Sequence, residues 1–551
     1  MFVRVKTTPN SPRKSVQLVE SVRDGTAVRQ RIVRHIGIAL DEDELVRLKD
    51  LAEVVKAKLQ ADTQPQLFPP EDVAEQLSAA RARQDGSPLK VELKALRETQ
   101  RLISGIHAVY GAVYDALGLP RLLPAWRYRA SHKALFHTVM ARLANPDSKR
   151  ASVRALAADF GVQVSLPQVY RMMDRLDEAC IERLNTLAET QARALLGGPL
   201  RVLFFDCTTL YFESFTDDDL KQPGYSKDAK FKECQVLLAL AVTDTGLPVR
   251  YTVLPGATFE GHSLIPVVKA LQTDCRAEDA VIVADRGLLS EANLSALENA
   301  GLHYIVGARL KSLPHALQTQ VLDEDRYETL TDGDRLRVLD LPHNTRRLVV
   351  GCSPVRAEKD RKDRDQAIAK LRKKLAKSNN PKDLLNNYGY KKYLQVNGES
   401  TLSVNPDKIA QAQRWDGLHG VITNLPATTT ATTILSQYRG LWQVEDTFRV
   451  SKHDLKVRPI YHWTPKRIEA HIAIAFMSLL CVRHLQYRMT LQARPVSPDV
   501  IRNALVHVQH SVLEHTQTHR RYVIPSAVNE TSRQLYKVMG LTHATTPYEL
   551  K

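Results

Sequence analysis

RVLFFD (201–206), CQVLLALAV (234–242), VRYTVL (249–254), AVIVAD (280–285) and HYIVGA (303–308) follow one another as short apolar runs rich in Val, Ile and Leu. Runs of this length, bounded by polar turns, predict buried strands. The first three succeed one another directly, whereas helix-like segments near 263–273 and 290–300 separate the later ones. That order predicts an α/β fold, a mixed sheet with helices on its faces. Residues 312–418 break the alternation and are read as an inserted domain that does not continue the sheet. The sheet plan resumes at GVITNLP (420–426), followed by a long helix from about 429 to 455.

Within the insertion, VRAEKDRKDRDQAIAKLRKKLAKS (355–378) carries ten Lys or Arg against four acids and predicts an exposed helix. A solvated charged face and a DNA-backbone contact both account for such a run. Toward the N-terminus, SVQLVESV and AVRQRIVRHI alternate as strands around Arg23-Asp24-Gly25-Thr26, a hairpin turn signal. Residues 1–40 hold eight Lys or Arg against Glu20 and Asp24, which suits either a basic ribbon on DNA or a solvated hairpin. The expected domains are the hairpin with a short helix (1–60), a linker (61–89), a helical region (90–197), two parts of the core (198–311 and 419–490) around the insertion (312–418), and a C-terminal tail (491–551). In the helical region, SVRALAADFG followed by VQVSLPQVYRMMDRL has the form of a helix–turn–helix, with Gly161 in the turn, Ser165 as N-cap and Tyr170-Arg171 on the second helix. Packing in a plain helical bundle and DNA contact are both open for it.

The chain has 551 residues, a length that predicts several domains. Lys and Arg number 77 against 61 Asp and Glu, a net charge of +16. This excess suits a polyanionic partner, because each neutralised phosphate releases condensed counterions. Six scattered cysteines without a CxxC pair argue against zinc modules and a disulfide framework. The basic N-terminus lacks the apolar run of a signal peptide, and IAIAFMSLLCV (472–482) is too short to span a bilayer. A buried core helix and a cytoplasmic, nucleoid-associated location without membrane contact are the expectation.

Two aspartates close apolar runs, Asp206 in VLFFD and Asp285 in VIVAD. Taken singly, each is more often a turn or cap residue. The helix ILSQYRGLWQVEDTFRVSKHDLK adds Tyr438, Glu445 and Lys452 at intervals of seven. Seven residues are nearly two turns, drifting only ~20° per step, so the three would share one stripe. Leu441, Val444, Phe448 and Leu455 fall on the adjoining face and would pack against the sheet. An ordinary amphipathic helix with an ion pair such as Glu445–Arg449 fits the same pattern. His262, in the loop-like FEGHS, reads as a turn residue sooner than a ligand.

FFDCTTLYF, GYSKD (224–228), LPVRYTVLPGATFEGHS, VIVADRGLLSEAN and YRGLWQVEDTFRVSKHDL resemble, in order and character, the insertion-sequence DDE transposases with a YREK signature helix. The likeness covers roughly 200 to 485. It implies an RNase H-like core interrupted by an insertion before the last catalytic helix. Carried over by position, it makes Asp206, Asp285 and Glu445 the metal-binding acids, and Tyr438 and Lys452 phosphate-binding groups. One position departs: the signature arginine three residues after the tyrosine is Leu441 here. Arg439 is the nearest substitute, about 160° of helix away from position 441. The departure bears on the phosphate grip and on any hairpin intermediate that relies on it, and leaves metal-dependent cleavage untouched.

The implied chemistry is phosphodiester hydrolysis at element ends, followed by strand transfer from the freed 3′-hydroxyl. Three converging carboxylates repel by ~4 kcal/mol per close pair at an effective dielectric near 20, so such a cluster makes sense around cations. Hard oxygen ligands select two Mg2+ or Mn2+ ions. Trp442 either stacks on an unpaired base or packs in the core. The resemblance implies double-stranded DNA as partner, as terminal inverted repeats and target, and a homodimer in synapsis. A nuclease without strand transfer and a domesticated, inactive DNA-binding protein are the alternatives.

Overall fold

The computed structural model describes the chain except residues 1, 8–13, 25–26, 40–41, 62–90, 213–215, 225–232, 266, 268–279, 331–332, 342–345, 378–387, 398–400 and 551. The expected linker, the tip of the hairpin turn, all but Gly224 of GYSKD and most of the 263–273 helix therefore lie outside the described residues. The chain divides into two compact units. One comprises residues 1–115, 157–162 and 503–551; the other comprises 116–156 and 163–502.

The larger unit holds the core sheet. Strands Val202–Tyr211, Cys234–Thr243 and Pro248–Pro255 form an antiparallel meander. Val281–Ala284 pairs parallel with the first of them, and His303–Gly307 pairs parallel with Val281–Ala284. Numbered along the chain, the order across the sheet is 3-2-1-4-5, with the first three antiparallel and the last two parallel to the first. This is an RNase H-like arrangement, and the five apolar runs read from the sequence supply its strands. Cys234–Thr243 is buried along its whole length, as a central strand covered on both faces must be. Asn185, on helix Glu178–Leu196, exchanges two hydrogen bonds with the backbone of Tyr251 (3.2 and 3.1 Å), so part of the outer strand is covered by a helix.

The region read as leaving the sheet instead lengthens it. Arg335–Asp340 and Arg347–Cys352 form an antiparallel pair that docks on Leu418–Thr423, itself antiparallel to His303–Gly307. Arginines at positions 335, 337 and 347 hide the strand pattern of these runs in the sequence. A smaller body follows, in which helix Pro354–Lys377 and hairpin Leu394–Asn397/Thr401–Val404 share a core of Ile368, Leu371, Tyr393 and Leu394. The predicted charged helix is thus present. Helix Pro465–Gln492 buries the apolar stretch 472–482, as expected of a core helix. In the helical region, helix Lys149–Phe160 ends before Gly161 (φ 67°), and Ser165 and Gln168 form a reciprocal capping box on helix Leu166–Met173.

The other unit contains two separate antiparallel sheets. Phe2–Thr7 adds an edge strand to the expected hairpin, Lys14–Asp24 with Ala27–Ala39, and helix Glu42–Ala61 covers it through Leu45 and Ala52. The C-terminal tail, which has no clear pattern in the sequence, supplies three antiparallel strands, of which Gln509–His515 pairs with Leu96–Ile103 and Arg521–Pro525 and Tyr548–Leu550 follow outward.

Candidate active site

Asp206 does not close its strand; Val202–Tyr211 continues five residues beyond it. What ends there is the neighbour. Phe205 pairs with Ala284, the last residue of the parallel strand, so Asp206 and Asp285 take the next matching position, Asp206 within its strand and Asp285 just past the end of its own. Parallel neighbours at matching positions face the same side, with strands about 4.8 Å apart. Asp285 keeps an extended backbone (φ −72°, ψ 161°) and opens a short turn, Arg286–Leu288, without capping it by its side chain. Both carboxylates are half-buried.

The predicted long helix is broken. Helix Ala431–Arg439 ends in a tight turn at Gly440 and Leu441, with i→i−3 bonds from Gly440 to Gln437 (3.0 Å) and from Leu441 to Tyr438 (3.1 Å). Helix Trp442–Arg449 then runs into a wider turn, Val450–Asp454, closed by Leu455 N–H to Val450 O at 2.9 Å. A Cβ on Gly440 would meet the Phe204 ring at 2.5 Å, so glycine lets the chain lie directly on the strand that carries Asp206. Leu441, Val444, Phe448 and Leu455 are buried, as the apolar face predicts. Arg483 fixes the middle helix from below through Asp446 (2.6 Å) and Thr447 (3.0 Å).

Tyr438 is half-buried with its hydroxyl against Gly307, where a Cβ on Gly307 would collide with it and crowd the backbone nitrogen of Arg286. Burial pushes its phenol up to about 12. The negative charge of Asp285 adds to the rise, Arg286 and Arg356 oppose it, and Glu445 contributes last. One tyrosine therefore feels both Asp285 and Glu445. Glu445 itself is exposed on the first turn of its helix. The anticipated Glu445–Arg449 pair does not form: Arg449 turns to Asp446 (2.9 Å) and Asp454 (3.4 Å). Lys452 donates to the hydroxyl of Thr208, two residues beyond Asp206 on the same face of the strand. Arg439 pairs with Asp334 at 2.6 Å. Trp442 is 56% exposed, which rules out the core-packing reading. His262 sits in a short turn, edge-on to Phe259 at 5.5 Å, as a structural residue.

Asp206 and Asp285 offer hard carboxylate oxygens on one face, a donor pair suited to a divalent cation of the magnesium type. Among the described residues, however, no three His, Cys, Asp or Glu side chains gather as a metal-binding group. The pair fits such an ion; the expected trio is not assembled.

The sequence reading overlooked the cavity beside Asp285. About 660 Å³ in volume, it is lined by Asp285 and Tyr438 together with Arg286, Arg309, Lys311 and Arg356. Arg286 directly follows an acid that the reading singled out, and Arg309 and Lys311 lie two and four residues past the strand end at Gly307. Their clustering at one sheet edge was the available signal. Arg356 comes from the insertion and carried no signal beyond its charged run.

A family described as the transposase DDE domain matches residues 197–481, more than half of the 551. A second, the IS1634 family transposase N-terminal domain, matches residues 2–66. Among solved structures, the Mos1 transposase paired-end complex with left transposon end aligns at 12% identity over 50% of this chain and 79% of that one; its TM-score of 0.14 carries no argument. No curated protein matches the chain. The match across the core, in agreement with its sheet order, places this chain in the DDE transposase family.

Proposed function

We propose that this insertion-sequence transposase nicks DNA at the ends of its element and joins the freed 3′-hydroxyl to a target, with Asp206, Asp285 and Glu445 as its essential acids. The reading is carried by Asp206 and Asp285 at matching positions on adjacent parallel strands, with Tyr438 coupled electrostatically to Asp285 and Glu445. A bound divalent cation, Mg2+ or Mn2+, supplies charge neutralisation at the phosphate and an acidic bound water. The chain's own groups hold the DNA. Lys452, steadied on Thr208, brings an ammonium beside Asp206 for a phosphate oxygen. Tyr438, neutral at physiological pH, donates a hydrogen bond rather than carrying charge. Trp442 presents an exposed aromatic face on which an unpaired base can stack. Arg439, engaged by Asp334, stays outside this grip. Two copies bringing two ends together complete the proposal.

The test is nicking and strand transfer of the element's own ends, in Mg2+ and in Mn2+, by wild type, Asp206→Ala and Glu445→Gln. Loss in both variants is expected; equal nicking by all three removes these acids from the mechanism. Nicking without a detectable joined product would favour a plain nuclease. A second reading, an inactive DNA-binding protein, is favoured by the unassembled acid trio. Salt-sensitive DNA binding by wild type with no cleavage in either metal would establish it.

A further inference from the structure

The cavity beside Asp285 carries four cationic side chains, Arg286, Arg309, Lys311 and Arg356, and Asp285 is the only acid among the described residues that line it. Arg286, Lys311 and Arg356 make no ion pair among the described residues. Arg309 is held by the carbonyl of Arg286 through Nε (3.2 Å) and Nη2 (3.1 Å), which fixes the direction of its guanidinium. Lys311 rides 5.9 Å above the Trp415 ring; partial desolvation and Lys392 hold its ammonium below the usual lysine range, while Asp360 and Asp416 oppose that shift. Four exposed cations converging on one concave space with a single acid in its lining make a site of positive field that attracts an anion. The volume falls in the range of small-ligand sites, large enough for a nucleotide unit and not only a lone ion.

The same cavity accounts for the missing arginine. Leu441 is buried and Arg439 is tied to Asp334, so neither reaches a phosphate beside Tyr438. Arg286 and Arg356 are the cations whose charge Tyr438 feels. Arg356 stands in the first turn of the 24-residue helix Pro354–Lys377, where the helix dipole adds to its positive field. We infer that this cavity receives a phosphodiester of the DNA strand next to the scissile phosphate, gripped by Lys311 and Arg356 across from Asp285, so that the inserted segment supplies the phosphate contact that position 441 lacks. The inference rests on the active-site reading above and names how its substrate is held. Arg356 and Lys311 are positioning residues.

The experiment uses the full chain and a duplex carrying the element's end, and it measures binding against salt as well as nicking. Lys311→Ala and Arg356→Ala should each lower the slope of log K against log salt by about 0.9. Each should also slow nicking of pre-bound duplex about 10- to 100-fold, with Arg356→Lys recovering part of the loss. Lys359→Ala removes the same charge one turn along the helix, outside the cavity lining, and should leave slope and nicking at wild-type values. Arg356 is exposed, so its loss does not threaten folding. Wild-type slopes in Lys311→Ala and Arg356→Ala, or an equal loss in Lys359→Ala, would overturn the inference even if Asp285→Ala is inactive. Full nicking by Asp285→Ala would instead overturn the underlying active-site reading.

Discussion

The two halves of the candidate site are built from different material. One half is a pair of strands, where Phe205 opposite Ala284 leaves Asp206 and Asp285 in matching positions. The other is a helix interrupted twice, so that Tyr438, Glu445 and Lys452 sit on three differently wound segments. Period-two geometry survives between neighbouring strands because each ladder bond resets the register. Helical phase accumulates, and one tight turn at Gly440–Leu441 or one wide turn at 450–454 displaces everything beyond it. Carboxylates on strands can thus be placed by pairing, whereas a carboxylate on a helix depends on every intervening residue.

The largest expected effect would test whether the halves act as one. Asp206→Asn and Asp285→Asn should each reduce nicking by about 10³-fold or more, on the order of 4 kcal/mol in the barrier. Glu445→Gln should match them; a much smaller loss in the same assay would confine the chemistry to the strand half. Next in size is Gly307→Ala, which pushes a methyl group into the Tyr438 hydroxyl and the Arg286 backbone. A destabilisation of about 1–3 kcal/mol, seen as a lower denaturation midpoint at constant m, is expected for such overpacking. An unchanged midpoint would show that the helix half does not press on the strand ends.

A pH experiment probes the same seam more gently. The Tyr438 phenol is raised to about 12 from its ordinary value near 10, because burial and Asp285 disfavour the phenolate. Its stabilising contribution is complete below pH 10 and is lost as pH climbs through 12, since the unfolded chain gives up that proton first. Tyr438→Phe should therefore flatten part of the alkaline fall in stability between pH 10 and 12, and leave the profile below pH 9 unaltered. The smallest effect belongs to Arg439→Ala. It breaks a half-exposed pair with Asp334, worth less than about 1 kcal/mol, and should leave nicking unchanged. A large loss of nicking would restore Arg439 to the phosphate grip.

Legibility followed the same division. The five core strands stood out because buried strands must be continuously apolar, and Asp206 and Asp285 stood out as charges at the ends of such runs. The strand pair 335–340 and 347–352 was missed because its arginines mask the alternation; Arg337, for one, is buried and caps carbonyl oxygens of Gln320 and Asp323. The C-terminal strands are illegible because Leu96–Ile103, the partner that anchors Gln509–His515, lies some four hundred residues away along the chain, and a polar strand at a sheet edge has little local pattern. The N-terminal sheet has a third strand, Phe2–Thr7, that the expected hairpin does not include, although FVRVKT alternates.

What the sequence determined by itself was therefore everything that depends on local period and burial: the mixed sheet, the charged helix of the insertion, the capped helix pair, and the identity of two acids on strands. Only the tertiary structure decided the partners of charged side chains. It gave Arg449 to Asp446, Arg439 to Asp334 and Lys452 to Thr208, left Glu445 and Trp442 in solvent, and brought Arg356 from the insertion to the edge of Asp285. The reason is physical. Apolar burial is fixed by short-range patterns repeated along the chain, whereas long flexible charged side chains choose among all partners within reach, and the folded backbone alone determines which those are.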